Sequence, residues 1–268
     1  MEFVERSEIP KVLSLKQAEW TLPWVQHYEK HIGEDSKLIR KNKPTTSHWL
    51  NHSIREPLMS DFKHNCGYCG RLIAKPWSQG EEIVNGKGDV DHFRAKSEYP
   101  HLVYKWSNFI WSCKPCNQLK GNFDDPVAPI FNPCRKDDCI KLEFTSDFGS
   151  YQLVDEYRRE RLFQEQFTNT QLYTLINSDD ICTQRKNIIT LLRGYFQSIR
   201  NLLEAIRAIE GTPLHETVRE ALNQEILTNL ERIKISKKSQ DFKLLVTNSL
   251  AQLIIEYKEV SDLLGTLD

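Results

Sequence analysis

The chain has 268 residues, enough for one large domain or two small ones. Its 36 Lys+Arg nearly cancel its 37 Asp+Glu, and a split at residue 150 leaves +1 before and −2 after. That balance argues against a basic tail or a protein holding nucleic acid by bulk charge, though not against a nucleic-acid enzyme with a local basic patch.

Seven cysteines, an odd count with two close CxxC pairs, do not read as a disulfide framework. Met1 to Pro10 leans acidic without an apolar run, so no signal peptide is expected. No stretch approaches 18 uninterrupted apolar residues, so no membrane span is expected either. The reading is a cytoplasmic chain with reduced thiols, in which paired cysteines more often mean metal or redox chemistry.

Ser14 to His31 and Thr46 to Lys63 read as helices, the first interrupted near Pro23. All six Trp, seven of eight His and ten of eleven Pro lie before residue 135, which marks a loop-rich, site-bearing first half. Ile-Lys-Leu-Glu-Phe and Tyr-Gln-Leu-Val flank Asp147-Phe148-Gly149 as a hairpin. A helix is expected from Arg158 to Ile176, with turn-like breaks at Asn177-Ser178 and Gly211-Thr212-Pro213. Beyond, Ile188, Leu192, Tyr195, Ile199, Leu202, Ile206 and Ile209 form an apolar stripe at helical spacing. Leu222, Ile226, Leu230 and Ile233 form a second stripe, and Val246, Leu250, Leu253, Tyr257, Val260 and Leu264 a third. These helices suit a bundle packing on itself; a stripe that docks a partner would look the same.

The chemistry concentrates between Cys66 and Asn122. Cys66-Gly-Tyr-Cys69 and Cys113-Lys-Pro-Cys116 are knuckles that can direct four thiolates at one tetrahedral zinc. The 43 residues between Cys69 and Cys113 exceed an ordinary finger, so something is inserted between the zinc-closing ends. A thioredoxin-like reading of one pair explains neither the second pair nor the insert. Within the insert, Asp91 and His92 end a short strand, where neighbouring side chains point to opposite faces and can take different tasks. Asn117 and Lys120, three apart, share a helix face. A hard cation, Mg²⁺ or Mn²⁺, suits the Asp91 carboxylate and the Asn117 carbonyl. A neutral His92 can take a proton from water, and Lys120 with Arg94 and Lys96 can offset phosphate charge, which together suit one-metal phosphodiester hydrolysis. Cys134 and Cys139 lack two further nearby ligands and read as free thiols.

This set of residues resembles the HNH endonuclease family, whose core is a ββα-metal fold. The resemblance covers Cys66 to Phe123 and implies Asp91 and Asn117 as ligands of the catalytic metal. It implies His92 as general base, Asn108 as the residue that orients it, and Lys120 as a basic position on the same helix. More narrowly, Val90-Asp-His-Phe-Arg94-Ala-Lys96-Ser97, Tyr99-Pro100, Tyr104-Lys-Trp106, Asn108 and Cys116-Asn117 with Lys120-Gly121 are similar to the PtuB-type HNH proteins of Septu and some retron anti-phage systems. Ala95 departs from the Pro expected there. The resemblance implies a nucleic-acid substrate, DNA or RNA, and a PtuA-like ATPase partner, joined in the retron setting by a reverse transcriptase and its RNA/DNA.

The expected architecture is α+β and mostly helical. Residues 1–63 form a helical lead-in, 64–154 the HNH core with zinc knuckles and hairpin, and 155–268 a C-terminal helical region. The competing reading is a zinc-stabilised binding module that recognises nucleic acid or protein without cutting.

Overall fold

The computed structural model describes residues 1–31, 43–44, 47–73, 87–212, 215–238 and 241–265. Thr46, Pro213 and the 74–86 part of the insert lie outside the described residues. The chain divides into two compact units, residues 1–145 with 151–181, and residues 146–150 with 182–268. The expected lead-in and all of the expected core but residues 146–150 fall in the first unit, which also takes in the helix after the hairpin.

In the first unit, α1 (Lys11–Lys30) continues through Pro23 instead of breaking there. Leu13 lies before that proline and Trp24 and His27 after it, all three buried. Tertiary burial on both sides outweighs the one backbone bond that proline removes. The helix expected from Thr46 to Lys63 is shorter than its pattern. A 3₁₀ turn, His48–Leu50, comes first, and extended backbone at Asn51 (φ −64°, ψ 138°) opens α2 (His52–Asp61). Ile54 and Leu58, one turn apart, are fully buried with Met59 and Phe62.

The N-terminal segment is tied down by Arg6. Its guanidinium binds Asp61 at 2.9 Å and the Phe109 carbonyl at 2.7 Å, and it lies 4.2 Å from the centre of the Trp106 ring.

Next comes β1 (Gly88–His92), antiparallel to β2 (Phe109–Cys113), with Asp91 opposite Ile110 and His92 opposite Phe109. β2 leads directly into α3 (Lys114–Lys120), which packs on both strands and stops at Gly121, where φ is +51°. The close pairing of β1 with β2 needs Gly88, because a Cβ there would sit 2.1 Å from the fully buried Trp111 ring. A one-turn helix, α4 (Lys136–Cys139), precedes β3 (Leu142–Thr145) and β4 (Ser150–Leu153), which pair as the expected hairpin. Then α5 (Arg161–Tyr173) packs against α3, with Tyr173 stacked on Phe123 at 3.6 Å between ring centres.

The second unit is helical: α6 (Asp179–Ala208, counted from residue 182), α7 (His215–Lys238), α8 (Lys243–Glu256) and α9 (Lys258–Gly265). On α6 the buried line runs through Arg185, Ile189, Leu192, Phe196 and Ile199. Ile189 and Phe196 thus take the places expected of Ile188 and Tyr195, while Leu192 and Ile199 stay on the buried line. Ile226, Leu230 and Ile233 of α7, and Val246, Leu250 and Leu253 of α8, are buried as their spacing requires. No helix among the described residues is long and apolar enough to cross a membrane.

Candidate functional site

The two cysteine pairs converge. Cys66 and Cys69 sit in a tight turn closed by the Asn65–Leu72 bridge, with Gly70 N–H donating to the Cys66 carbonyl at 2.8 Å. Cys113 ends β2 and Cys116 lies in the first turn of α3. Gly67 lets the turn press onto the core, since a Cβ there would lie 2.5 Å from the Phe62 ring, and its N–H donates to the Trp111 carbonyl at 2.8 Å.

All four thiols are buried, and their sulfurs lie within 4.8 Å of one another. The Cys69–Cys113 sulfur separation is 3.8 Å. A tetrahedron with zinc–sulfur bonds of about 2.3 Å has an edge of about 3.8 Å. Burial pushes the Cys66 thiol up, but hydrogen bonds with Cys113, Cys116 and Cys69 outweigh it and hold the group well below the ordinary range. Burial drives Cys69 well up, and hydrogen bonding to Cys113 does the same to Cys116. The crowding favours one thiolate over several, and a bound dication would take the place of the remaining protons, so the cluster can hold a metal ion such as zinc.

Beside the cage lies a cleft of about 310 Å³ lined by Asp89, Asp91, His92, Lys96, Asn117 and Trp49, among others. His92 is buried at the end of β1, with Nε2 2.9 Å from the Val103 carbonyl oxygen. A carbonyl only accepts, so Nε2 carries the proton and Nδ1 is the unprotonated nitrogen. Trp49 and Phe109 meet the imidazole edge-on, at 4.8 and 5.2 Å between ring centres. Burial, then the nearby Lys96 ammonium, hold His92 well below the usual histidine range, so it is neutral at neutral pH.

Asp91 is also buried. Its Oδ2 accepts a 2.5 Å hydrogen bond from the Tyr68 hydroxyl, and Lys120 Nζ stands 3.4 Å from its carboxylate. Burial pushes the Asp91 carboxyl up, with Lys120 and Tyr68 pulling the other way.

Asn108 clamps the loop between the strands rather than touching the imidazole. Its Oδ1 accepts from the Arg94 N–H at 2.7 Å, and its Nδ2 donates to the Arg94 and Leu102 carbonyls at 3.2 and 3.1 Å. Leu102 precedes Val103, whose carbonyl holds His92, so Asn108 bears on the histidine through that loop.

The three basic residues grouped by sequence separate in space. Lys96 lines the cleft, 3.4 Å from His92 Nδ1 and 5.0 Å from the centre of the Trp49 ring. Arg94 pairs with Asp124 at 3.0 Å and lies over Tyr99. Lys120 shares a helix face with Asn117, but that face points inward: its side chain is fully buried and donates to the His92 carbonyl at 2.7 Å. It therefore meets Asp91, not an open phosphate path.

Sequence reasoning missed Tyr68, Trp49 and Asp89. Tyr68 sits between two cysteines, where no pattern marks it. Trp49 arrives from 43 residues upstream of His92. Asp89 was legible, because residues two apart on a strand share a face and Asp91 was already a candidate. In the structure Asn117 Nδ2 donates to Asp89 Oδ2 at 3.3 Å.

These donors fit a hard divalent ion. The Asp91 carboxylate offers about four acceptor positions, of which Tyr68 and Lys120 use two, and the Asn117 carbonyl oxygen remains after its nitrogen is spent on Asp89. The cleft thus unites a neutral imidazole whose Nδ1 is unprotonated, oxygen donors, and a lysine that stands against that nitrogen.

No protein-family model matches the chain. Over 105 residues it is 33% identical to the Septu protein PtuB of Bacillus thuringiensis. The match covers 39% of this chain and only 38% of that protein's length. This similarity supports a PtuB-like relationship over that stretch.

Proposed function

We propose that the chain is a divalent-metal-dependent HNH endonuclease that hydrolyses nucleic-acid phosphodiester bonds in a Septu-type anti-phage system, together with a PtuA-like ATPase. The observation that carries the reading is His92, neutral and with Nδ1 unprotonated beside the Lys96 ammonium, in one cleft with the oxygen donors Asp91 and Asn117. The PtuB similarity supports the defence role and the partner.

In this reading His92 Nδ1 accepts a proton from the water whose oxygen attacks phosphorus. The Val103 carbonyl keeps Nε2–H fixed and stabilises the imidazolium that forms. Asp91 and Asn117 would hold the divalent ion, which when bound supplies Lewis-acid stabilisation of the phosphate and leaving oxygens. Lys96, at the cleft, offsets phosphate charge and moves off Nδ1 as it does so. Cys66, Cys69, Cys113 and Cys116 would hold a zinc that ties the first knuckle to β2 and the start of α3, and Tyr68 carries that rigidity to Asp91.

The test is incubation of the purified chain, alone and with a PtuA-type ATPase, with plasmid DNA and with RNA. Cleavage with Mg²⁺ or Mn²⁺ that EDTA abolishes is expected. Binding without cutting under every condition would favour the non-catalytic module instead.

A further inference from the structure

Asp89 and Asp91 alternate with Val90 on β1, so both carboxylates project toward the face covered by α3. Asp89 is half-buried at the cleft, and each of its oxygens has a partner. Oδ1 accepts from the Val90 N–H at 2.8 Å, and Oδ2 accepts from Asn117 Nδ2 at 3.3 Å. The first bond fixes the carboxylate; the second has a chemical consequence.

An asparagine amide has two ends of similar size and opposite use. A hard cation takes the oxygen, whereas a carboxylate attracts the NH₂. With Asp91 in the same cleft, an unconstrained Asn117 could turn its nitrogen toward Asp91 and lose its value as a ligand. Both Asp89 oxygens act as acceptors, and the end of Asn117 that meets Oδ2 is the nitrogen.

We propose that Asp89 is a positioning residue that holds the Asn117 amide by its nitrogen and so presents the carbonyl oxygen to the divalent ion. The inference rests on the metal site proposed above for Asp91 and Asn117.

Two variants of equal charge separate this role from simple attraction of the cation. Asp89→Asn and Asp89→Ala both remove the negative charge, but only Asn keeps an oxygen that can accept from Asn117. Mn²⁺ affinity is measured on the zinc-loaded full chain, by calorimetry and by the paramagnetic resonance of free Mn²⁺, with equal zinc content and melting as the folding control. Loss of an orienting partner costs about 10- to 100-fold in metal affinity. Asp89→Asn should therefore bind at least about tenfold tighter than Asp89→Ala. In the Asn117→Ala background the difference should vanish, because Asp89 then has no amide to hold.

Equal affinities for the two variants would overturn the proposal. So would a difference that persists without Asn117, which would make Asp89 a direct ligand. Cleavage is read separately: a chain that binds Mn²⁺ with this dependence but cuts nothing refutes the nuclease reading and leaves Asp89 in its role. A parent chain that binds no Mn²⁺ refutes both.

Discussion

Tyr68→Phe removes one oxygen from a fully buried ring and leaves the packing of the first knuckle in place. The lost contact is the 2.5 Å bond to Asp91 Oδ2, and the nearest remaining cation, Lys120, stands at 3.4 Å. A hydrogen bond to a buried carboxylate is worth about 1.5–3 kcal/mol. An independent expectation, the cost of removing an outer partner of a metal ligand, is about 10- to 100-fold in affinity, or about 1.4–2.8 kcal/mol. The two agree. Tyr68→Phe should thus weaken Mn²⁺ binding by about one to two orders of magnitude while zinc content stays at the parent's and melting stays cooperative, lower by several degrees. Calorimetric titration with Mn²⁺, alongside zinc analysis, makes the comparison. An unchanged Mn²⁺ affinity in a zinc-replete variant would refute the idea that the knuckle tyrosine orients Asp91. Loss of zinc would reassign Tyr68 to the knuckle alone.

Cys113→Ser should lose stoichiometric zinc and most of its cooperative melting, because metal binding at such a cluster is folding energy; full zinc content would contradict the cage. Arg6→Ala leaves Asp61 without its cation and the Phe109 carbonyl without its donor, and should cost about 3 kcal/mol in urea unfolding. A loss within error of zero would show that Arg6 is not a clamp. Burial and Lys96 keep His92 neutral in the folded state at pH values where the unfolded chain binds a proton. Its contribution to stability is complete above about pH 6.5 and falls as pH drops toward the lowered folded value, by about 1.4 kcal/mol per pH unit. His92→Asn should flatten that part of the stability–pH curve, and identical slopes for parent and variant would refute the buried neutral histidine.

Much of the site was legible because metal and strand geometry impose short, fixed spacings. Two CxxC pairs constrain four sulfurs, and the Asp91-His92 dipeptide ends the strand that pairs with β2. What sequence could not show depends on contacts between distant segments. Trp49 against His92 and Arg6 against Phe109 arise only once the N-terminal segments pack onto the sheet. Lys120 illustrates the limit of helical periodicity: three-residue spacing puts it on one face with Asn117, but the packing of α3 decides that this face is inward. Pro23 shows local propensity losing to burial, since Leu13, Trp24 and His27 hold α1 together across it. Asn108 stood out in sequence as a candidate, but its bonds to the Leu102 and Arg94 carbonyls, not to the imidazole, needed coordinates.

If His92 is the base of a metal-dependent phosphodiester cleavage, its removal must slow cleavage without removing the metal. Initial cleavage rates of parent and His92→Ala are compared at saturating Mg²⁺ or Mn²⁺ with the ATPase present, each protein shown to carry zinc and to melt cooperatively. Positioned general-base catalysis contributes about 10²- to 10⁴-fold, and a loss of that size with metal binding retained is the predicted result. A His92→Ala protein that cuts as fast as the parent would contradict the account.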